Sequence, residues 1–450
     1  MNACSGMPRA ESRGRYHLEV FGCQMNLADG ELLDGILREA GWTRAREPAD
    51  ADLLLLVTCA VRERAVERVL GHIRSLRPLK RRRPDLRIAL VGCLARYQGR
   101  ELSERLPEVD FFLGPDAYRS LPALLAAPPR LPALTLRGGR GETYGDVRPV
   151  RGRGVNAWVS VMRGCDRMCA YCVVPFARGR ERSLPVDAVL AAAREAIAAG
   201  RPSLTLLGQT VTSYRDGETD FAGLLARVSA LPGAERIRFL SPHPADFHAR
   251  LLETIAARPN IARHLHLPVQ SGSNRVLAAM RRGYTREQFF ALIEAARRAI
   301  PELAVTTDLM VGFPGEEERD YEETLDLVRR VGFDGAFMFA YSPRPKTFAA
   351  RRMEDSVPRA EKIARLERLI ALQEEYSRVA HARWIGRAVT VLVEGPARSP
   401  AGHWYGRSDD FKDVIFSLPA ARETAAGAFA DVEVTGATSH TLLGRLRDAR

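Results

Sequence analysis

Hydrophobic positions along the first part of this chain alternate between two rhythms. From Tyr16 to about Leu113, short apolar and β-branched runs are each followed by a turn and then by apolar residues at helical spacing. The runs 16–21, 53–57, 87–91 and 110–113 predict strands. Leu32, Leu33, Ile36 and Leu37 mark one intervening helix, and Val61, Ala65, Val69 and Ile73 mark a second. Strands alternating with helices predict an α/β domain built on a mainly parallel sheet. The stretch 128–153 is rich in Pro, Gly and Arg, has no periodicity, and predicts a linker.

A second series begins at Ala157. Strands are predicted at 158–162, 204–207, 236–240, 263–267, 304–309 and 336–341, with helices at 186–199, 221–231, 247–258, 286–300 and 321–331. Six β/α units predict a partial (β/α)6, TIM-like barrel, in which the loops leaving the strand C-termini carry the chemistry. Those loops hold the run Cys165 to Cys172, then Gln209, His243, Gln270, the segment from Gly312 through Gly315 to Glu316, and Ser342-Pro-Arg-Pro. A charged helix follows at 358–383. Short alternating strands at 388–394, 412–416, 430–435 and 441–447 then predict a small β-barrel or sandwich. The expected domains are 14–130, 151–383 and 384–450.

Composition narrows the function. The 450 residues carry 67 Lys and Arg against 55 Asp and Glu, a net charge of +12. The charge is unevenly placed. Cations and anions cancel from Trp384 onward, and the excess divides into +6 on either side of Arg140. The sign suggests a polyanionic partner, although only Lys80, Lys346, Lys362 and Lys412 among the cations are lysine, a skew that a GC-rich genome also produces. No apolar run approaches the roughly 20 residues needed to span a bilayer, and no basic stretch leads into an apolar one as in a secretory signal. A reducing compartment is therefore expected, where the odd total of seven cysteines points to metal or catalytic thiols rather than disulfides. Cys4 lies in a polar leader and is read as an idle thiol; Met1 and Met7 are equally good initiators.

Six cysteines remain, in two sets. Cys165, Cys169 and Cys172 lie within eight residues, in Arg163-Gly-Cys-Asp-Arg-Met-Cys-Ala-Tyr-Cys. Three thiolates with no nearby His do not complete a tetrahedral zinc site. A [4Fe–4S] cluster suits them better, because it leaves one iron open to a small molecule; zinc or a structural role is the alternative. Cys23, Cys59 and Cys93 are spread out, yet each falls within two residues of a predicted strand end, in Phe21-Gly-Cys-Gln, Val57-Thr-Cys-Ala and Val91-Gly-Cys-Leu. Strand C-termini form the ligand edge of a parallel sheet, so the three thiols are expected to converge on a second open-site cluster. Unrelated core thiols are the competing reading.

With both sets in place, the chain from about Tyr16 to its end resembles the methylthiotransferase family of radical S-adenosylmethionine (SAM) enzymes. The same order of parts is found there: an α/β domain with three separated cysteines, a barrel with the C-x3-C-x2-C loop, and a C-terminal TRAM barrel that binds RNA. Phe21-Gly-Cys-Gln-Met-Asn, Val173-Val-Pro-Phe-Ala-Arg-Gly and His264-Leu-His-Leu-Pro-Val-Gln-Ser-Gly-Ser resemble the branch acting on C2 of N6-isopentenyladenosine at position 37 of tRNA. Branches acting on threonylcarbamoyladenosine or on a ribosomal-protein aspartate are the alternatives. An iron–sulfur RNA-binding redox sensor without turnover is the alternative of another class. Val57, Thr210 and Thr212 stand where the family commonly has Asn, and Leu184 where it has Arg.

The resemblance implies two [4Fe–4S] clusters and SAM as cofactors. Cys165, Cys169 and Cys172 would hold the cluster that binds and cleaves SAM, and Cys23, Cys59 and Cys93 an auxiliary cluster carrying the sulfur. No catalytic side chain beyond the cluster ligands is expected. Gly312, Gly315, Glu316, Gln209, Gln270 and Asp308 are candidate SAM contacts, with capping or loop stabilisation as the plain alternative. His243, His264 and His266 are read as structural or substrate-positioning. A tRNA carrying N6-isopentenyladenosine next to the anticodon is the implied partner, together with an electron donor such as flavodoxin or ferredoxin; a cytoplasmic monomer with no membrane association is expected. Candidate phosphate contacts are Lys80-Arg-Arg-Arg83 and Arg137, Arg140, Arg148, Arg151 and Arg153, and Trp404, Tyr405 and Phe411 are candidates for stacking on bases.

Overall fold

The computed structural model describes residues 13–61, 63–127, 132–139, 141–152, 154–418 and 424–447. Cys4, both initiator methionines, Arg140 and Arg153 lie outside the described residues. The chain forms two units: Met1–Gly152 together with Val173–Arg182, and Arg153–Cys172 together with Ser183–Arg450.

The first unit is built on six parallel strands, β1 (Arg15–Phe21), β2 (Thr43–Arg44), β3 (Leu53–Thr58), β4 (Arg87–Gly92), β5 (Phe111–Leu113) and β6 (Ala133–Thr135), in the order β2-β1-β3-β4-β5-β6. Alternation along β3 explains why the sheet is covered on both sides. Leu53, Leu55 and Val57 pack into one core with Ala89, Val91 and Phe111, while Leu54 and Leu56 enter a second with Ile88, Leu90 and Phe112. The helix Gln24–Glu39 buries Leu32, Leu33, Ile36 and Leu37 as their spacing predicts. The next helix runs Glu63–Ser75 and buries Val69 and Ile73, but Val61 precedes it and is exposed.

The expected linker is only partly one. Ala133–Thr135 pairs in parallel with β5 as the sixth strand, and the amide of Val150 donates to Glu31 O at 2.9 Å. Neither β2 nor β6 has an apolar run long enough to announce itself.

In the second unit all six expected barrel strands form: β7 (Asn156–Ser160), β8 (Ser203–Leu207), β9 (Arg236–Leu240), β10 (His264–His266), β11 (Ala304–Val311) and β12 (Gly335–Ala340). They make two parallel three-stranded sheets, β7-β8-β9 and β10-β11-β12. Ile237 and Ile261 bridge the two, with Ile237 N bonded to Asn260 O at 2.7 Å, so the arc is continuous. The following helix, Arg359–Ala382, buries a stripe that includes Lys362, Arg365, Gln373, Ser377 and His381. A buried face this polar has no hydrophobic signature; it is held by specific bonds such as Gln373 Nε2 to Phe333 O at 2.9 Å.

The chain ends in a closed five-stranded barrel of β13 (Ala388–Pro396), β14 (His403–Ser408), β15 (Asp413–Ser417), β16 (Phe429–Ala437) and β17 (Thr441–Leu446), ordered β13-β14-β15-β17-β16. Sequence periodicity marks every strand but β14, whose His-Trp-Tyr-Gly-Arg-Ser run is polar.

Candidate functional site

In the first unit, three cysteines sit at the C-terminal edge of the sheet. Cys23 follows β1, Cys59 follows β3 and Cys93 follows β4. The strand order reverses direction between β1 and β3, and that crevice is where open α/β sheets hold ligands. Two glycines make the approach close. Gly22 has φ +149°, and a Cβ there would stand 2.6 Å from Cys59 Cβ; Gly92 has φ +100°, and its Cβ would meet Thr58 O at 2.8 Å. Asn26 ties the first two loops together, accepting from the Cys23 amide at 3.2 Å and donating to Thr58 O at 3.2 Å.

The thiols act on one another. Interaction with the neighbouring Cys59 draws the Cys23 thiol down from its ordinary value, and the same interaction together with burial pushes Cys59 up. Burial, opposed by Arg178, raises Cys93. The Arg178 guanidinium donates through Nε to Cys93 Sγ at 3.1 Å and through Nη2 to Asp29 Oδ2 at 2.6 Å, with both charged side chains buried. Sequence reasoning assigned Arg178 no role, although it lies in the motif Val173-Val-Pro-Phe-Ala-Arg-Gly.

In the second unit, Cys165, Cys169 and Cys172 occupy the loop after β7. Gly164, at φ +81°, turns the chain, and its amide is held by Gln209 Oε1. Cys172 N bonds Cys169 O at 3.0 Å, and the amide and carbonyl of Ala170 are fastened to Met280 and Ala349. Thr210 Oγ1 lies 3.1 Å from Cys165 Sγ. One of the departures from the family pattern therefore touches a cysteine of this triad directly. Thr212 accepts from the His243 amide and donates to Asp246, both at 2.9 Å. Arg282, a buried cation near the second triad, lies with Nη1 3.4 Å from Cys169 Sγ and Nη2 2.7 Å from Pro268 O.

The other predicted residues divide by task. Gln209 Nε2 and His243 Nε2 are buried atoms without a hydrogen-bond partner. Burial, reinforced by Arg282 and Arg167, lowers the His243 ring to about 2, so it is neutral. Gln270 has φ +75° and bridges to β11 through its backbone, its amide on Asp308 O at 2.9 Å. Thr306 Oγ1 lies within hydrogen-bonding distance of His264 Nε2 (2.8 Å) and His266 Nδ1 (2.9 Å), and His266 Nε2 lies 3.5 Å from Asp308.

Glu316 is engaged within the fold. Its buried carboxylate accepts from Gly312 N at 2.7 Å and pairs with Arg365 at 2.9 Å, closing the turn onto the helix Arg359–Ala382. Gly312 is likewise required by packing, since a Cβ there would stand 2.3 Å from Lys362 Cγ. Gly315, at φ +80°, faces open space.

Several candidate RNA contacts are engaged inside their own unit. Lys80 pairs with Asp110 at 2.7 Å, Arg83 bonds Ala49 O, Ala51 O and Asp52, and Arg151 pairs with Glu31 at 3.1 Å. Phe411 stacks on His264 at 4.9 Å, with Arg238 and Arg407 over its ring. Trp404 packs against the core of the small barrel and Tyr405 donates to Asp413 at 2.9 Å. Arg81, Arg82, Arg137 and Arg148 are exposed.

Among the described residues, no three His, Cys, Asp or Glu side chains stand as the donor set of a single metal ion. Each triad instead offers three thiols on a glycine-shaped loop edge with no imidazole among them. That donor set fits an iron–sulfur cluster with one open iron.

Residues 159–328 match the Radical SAM superfamily, 15–114 the uncharacterized protein family UPF0004, and 382–446 the TRAM domain. A tRNA-2-methylthio-N(6)-dimethylallyladenosine synthase of Chlorobium limicola is 44% identical over 441 residues, covering 98% of this chain and 99% of its own length. The protein of the same name from Chlorobaculum tepidum is 44% identical over 434 residues, covering 95% and 97%. The radical SAM methyltransferase TsrM of Kitasatospora setae shares the fold with a TM-score of 0.58 at 15% identity, over 75% of this chain and 77% of that one. Identity sustained across all three matched segments and nearly the whole of both chains places this protein in the radical SAM family of the tRNA-2-methylthio-N(6)-dimethylallyladenosine synthases.

Proposed function

We propose that this protein installs a methylthio group at C2 of N6-isopentenyladenosine, position 37 of tRNA, with SAM and two [4Fe–4S] clusters as cofactors. One observation carries the reading. Two sets of three thiols occupy strand C-terminal edges, one in each unit, in a chain 44% identical over 98% of its length to a protein named for this modification. Cys165, Cys169 and Cys172 would hold the cluster that binds SAM, and Cys23, Cys59 and Cys93 the auxiliary cluster. Two SAM molecules per turnover would supply the chemistry, one giving the methyl group and the second the 5′-deoxyadenosyl radical that takes hydrogen from C2, an aromatic C–H that no side-chain base removes.

The chain's own residues bind and orient. Gln209 holds the Gly164 amide with one end of its amide group, and its unpartnered Nε2 is a donor for the SAM carboxylate. Gly315 leaves room for the ligand to approach the backbone, while Glu316 and Gly312 fix the turn that presents it. Gln270 and Asp308 sit at the same edge of the barrel, at the joint between the loop after β10 and β11. His243 stays neutral and adds no charge beside Arg167 and Arg282. Exposed Arg81, Arg82, Arg137 and Arg148 are the phosphate contacts this reading retains. An electron donor such as flavodoxin or ferredoxin, a monomeric state and a cytoplasmic location complete the proposal; among the described residues no helix is long and apolar enough to cross a membrane.

The test is anaerobic reconstitution followed by incubation with SAM, dithionite and tRNA bearing isopentenyladenosine, with nucleosides read by mass spectrometry. The 2-methylthio nucleoside is expected. In Cys23→Ala it should vanish while 5′-deoxyadenosine still forms. Conversion of threonylcarbamoyladenosine instead would transfer the protein to another branch, and failure to form any 5′-deoxyadenosine would favour the redox-sensor reading.

A further inference from the structure

Arg178 is a buried cation for which the fold of the first unit gives no sufficient reason. It ends the short helix Val174–Arg178 and is 3% exposed. Its terminal nitrogens hold both oxygens of Asp29, at 2.6 Å and 3.4 Å, and Asp29 also accepts from Tyr118 OH at 3.1 Å. A guanidinium taken out of water needs such a fork-to-carboxylate pairing. The pairing accounts for how Arg178 is tolerated. It does not account for the Nε donor, which is aimed at Cys93 Sγ at 3.1 Å. A protonated thiol is a weak acceptor, whereas a thiolate bound to iron, part of an anionic cluster, is a good one, and hydrogen bonds to cluster sulfurs and nearby charge set its reduction potential.

Resting on the two-cluster reading above, we propose that Arg178, fixed by Asp29, is a positioning residue for the auxiliary cluster: it holds the Cys93 sulfur and raises that cluster's reduction potential. Reduction adds negative charge, and a hydrogen bond from a cation favours the more negative state. Asp29 orients the fork and offsets part of its charge, so the two residues work as one unit. Arg178 donates to Cys93, a thiol of the auxiliary set, so the larger shift should fall on that cluster.

The test is an EPR-monitored redox titration of the reconstituted full-length enzyme, each signal assigned from a variant lacking the other triad. Two variants are compared. Arg178→Gln with Asp29→Asn removes both buried charges together, and Arg178→Lys keeps the cation without the fork. The auxiliary potential is expected to shift to more negative values in the paired variant and by less in Arg178→Lys, with a smaller shift of the SAM cluster in both. An unmoved auxiliary potential in the paired variant overturns the inference. So does loss of the auxiliary cluster from both variants, which would make Arg178 a residue of the fold alone. A wild type holding a single cluster by iron count would overturn the underlying reading, and this inference with it, before any variant is compared.

Discussion

His243 and His381 are both buried, and burial depresses both rings below the ordinary value of 6.5. Each is neutral in the fold and free to take a proton in the unfolded chain. Below pH 6.5 the unfolded state therefore binds more protons, and stability is lost as pH falls. For His243, whose ring is lowered to about 2, the loss should reach about 1 kcal/mol by pH 5.5. His243→Asn is the informative variant, because an Asn oxygen can replace the ring nitrogen that accepts from Ala245 N at 3.3 Å. Urea titrations of the apoprotein at pH 7.5 and 5.5 should give a smaller difference for the variant than for wild type; equal differences would mean that His243 is not held neutral. The same scale shows why single residues were hard to judge from sequence. Lys80, Lys362 and Lys412 each pair with a carboxylate, and a pattern of charges does not reveal which cations face inward.

Elements were far more legible. The four apolar strands of the first unit and all six barrel strands carry runs whose burial demands a sheet, and the cysteines follow them at fixed offsets, so the placement of Cys23, Cys59 and Cys93 along one sheet edge was legible in the sequence. β2, β6 and β14 were not, since two or three residues, or a polar run, carry no period. The stripe of Lys362, Arg365, Gln373 and Ser377 hid the buried face of the long helix for the same reason. What the chain could not announce was how closely the strand ends approach. Gly22 marks that distance: with φ +149° and a would-be Cβ 2.6 Å from Cys59 Cβ, Gly22→Ala must push β1 and β3 apart or strain the backbone. The expected outcome is a folded protein that keeps 5′-deoxyadenosine formation, loses about half its iron and makes no methylthio nucleoside. Iron analysis and product assay together check it, and a variant with full iron content would show that the spacing is not critical.

At the scale of the second unit, the small barrel is bonded into the larger one rather than appended to it. Arg236 donates to Arg407 O at 2.6 Å and Thr390 O at 3.2 Å, and Arg238 donates to Ser408 O at 2.9 Å beneath the ring of Phe411. Lys412 joins Asp334, in the turn before β12, to Asp410 at 2.9 Å and 2.7 Å, all three side chains buried. Phe411 adopts φ +68° to reach His264, a conformation uncommon for a bulky residue and compensated only where the ring is gripped. A chain ending at Arg383 would leave Arg236 and Arg238 without these acceptors and Asp334 without Lys412. Unsatisfied buried groups cost about 1–3 kcal/mol each, and breaking a buried ion pair costs about 3–5 kcal/mol. Truncation should therefore lower the unfolding midpoint of the remaining barrel and expose apolar surface, read by thermal denaturation and dye binding. Because charges cancel in the removed segment, the long-range attraction for tRNA should survive it, with the salt dependence of binding by any folded fraction nearly unchanged. A truncated chain as stable as the whole, yet unable to bind tRNA, would instead assign the small barrel to RNA recognition alone.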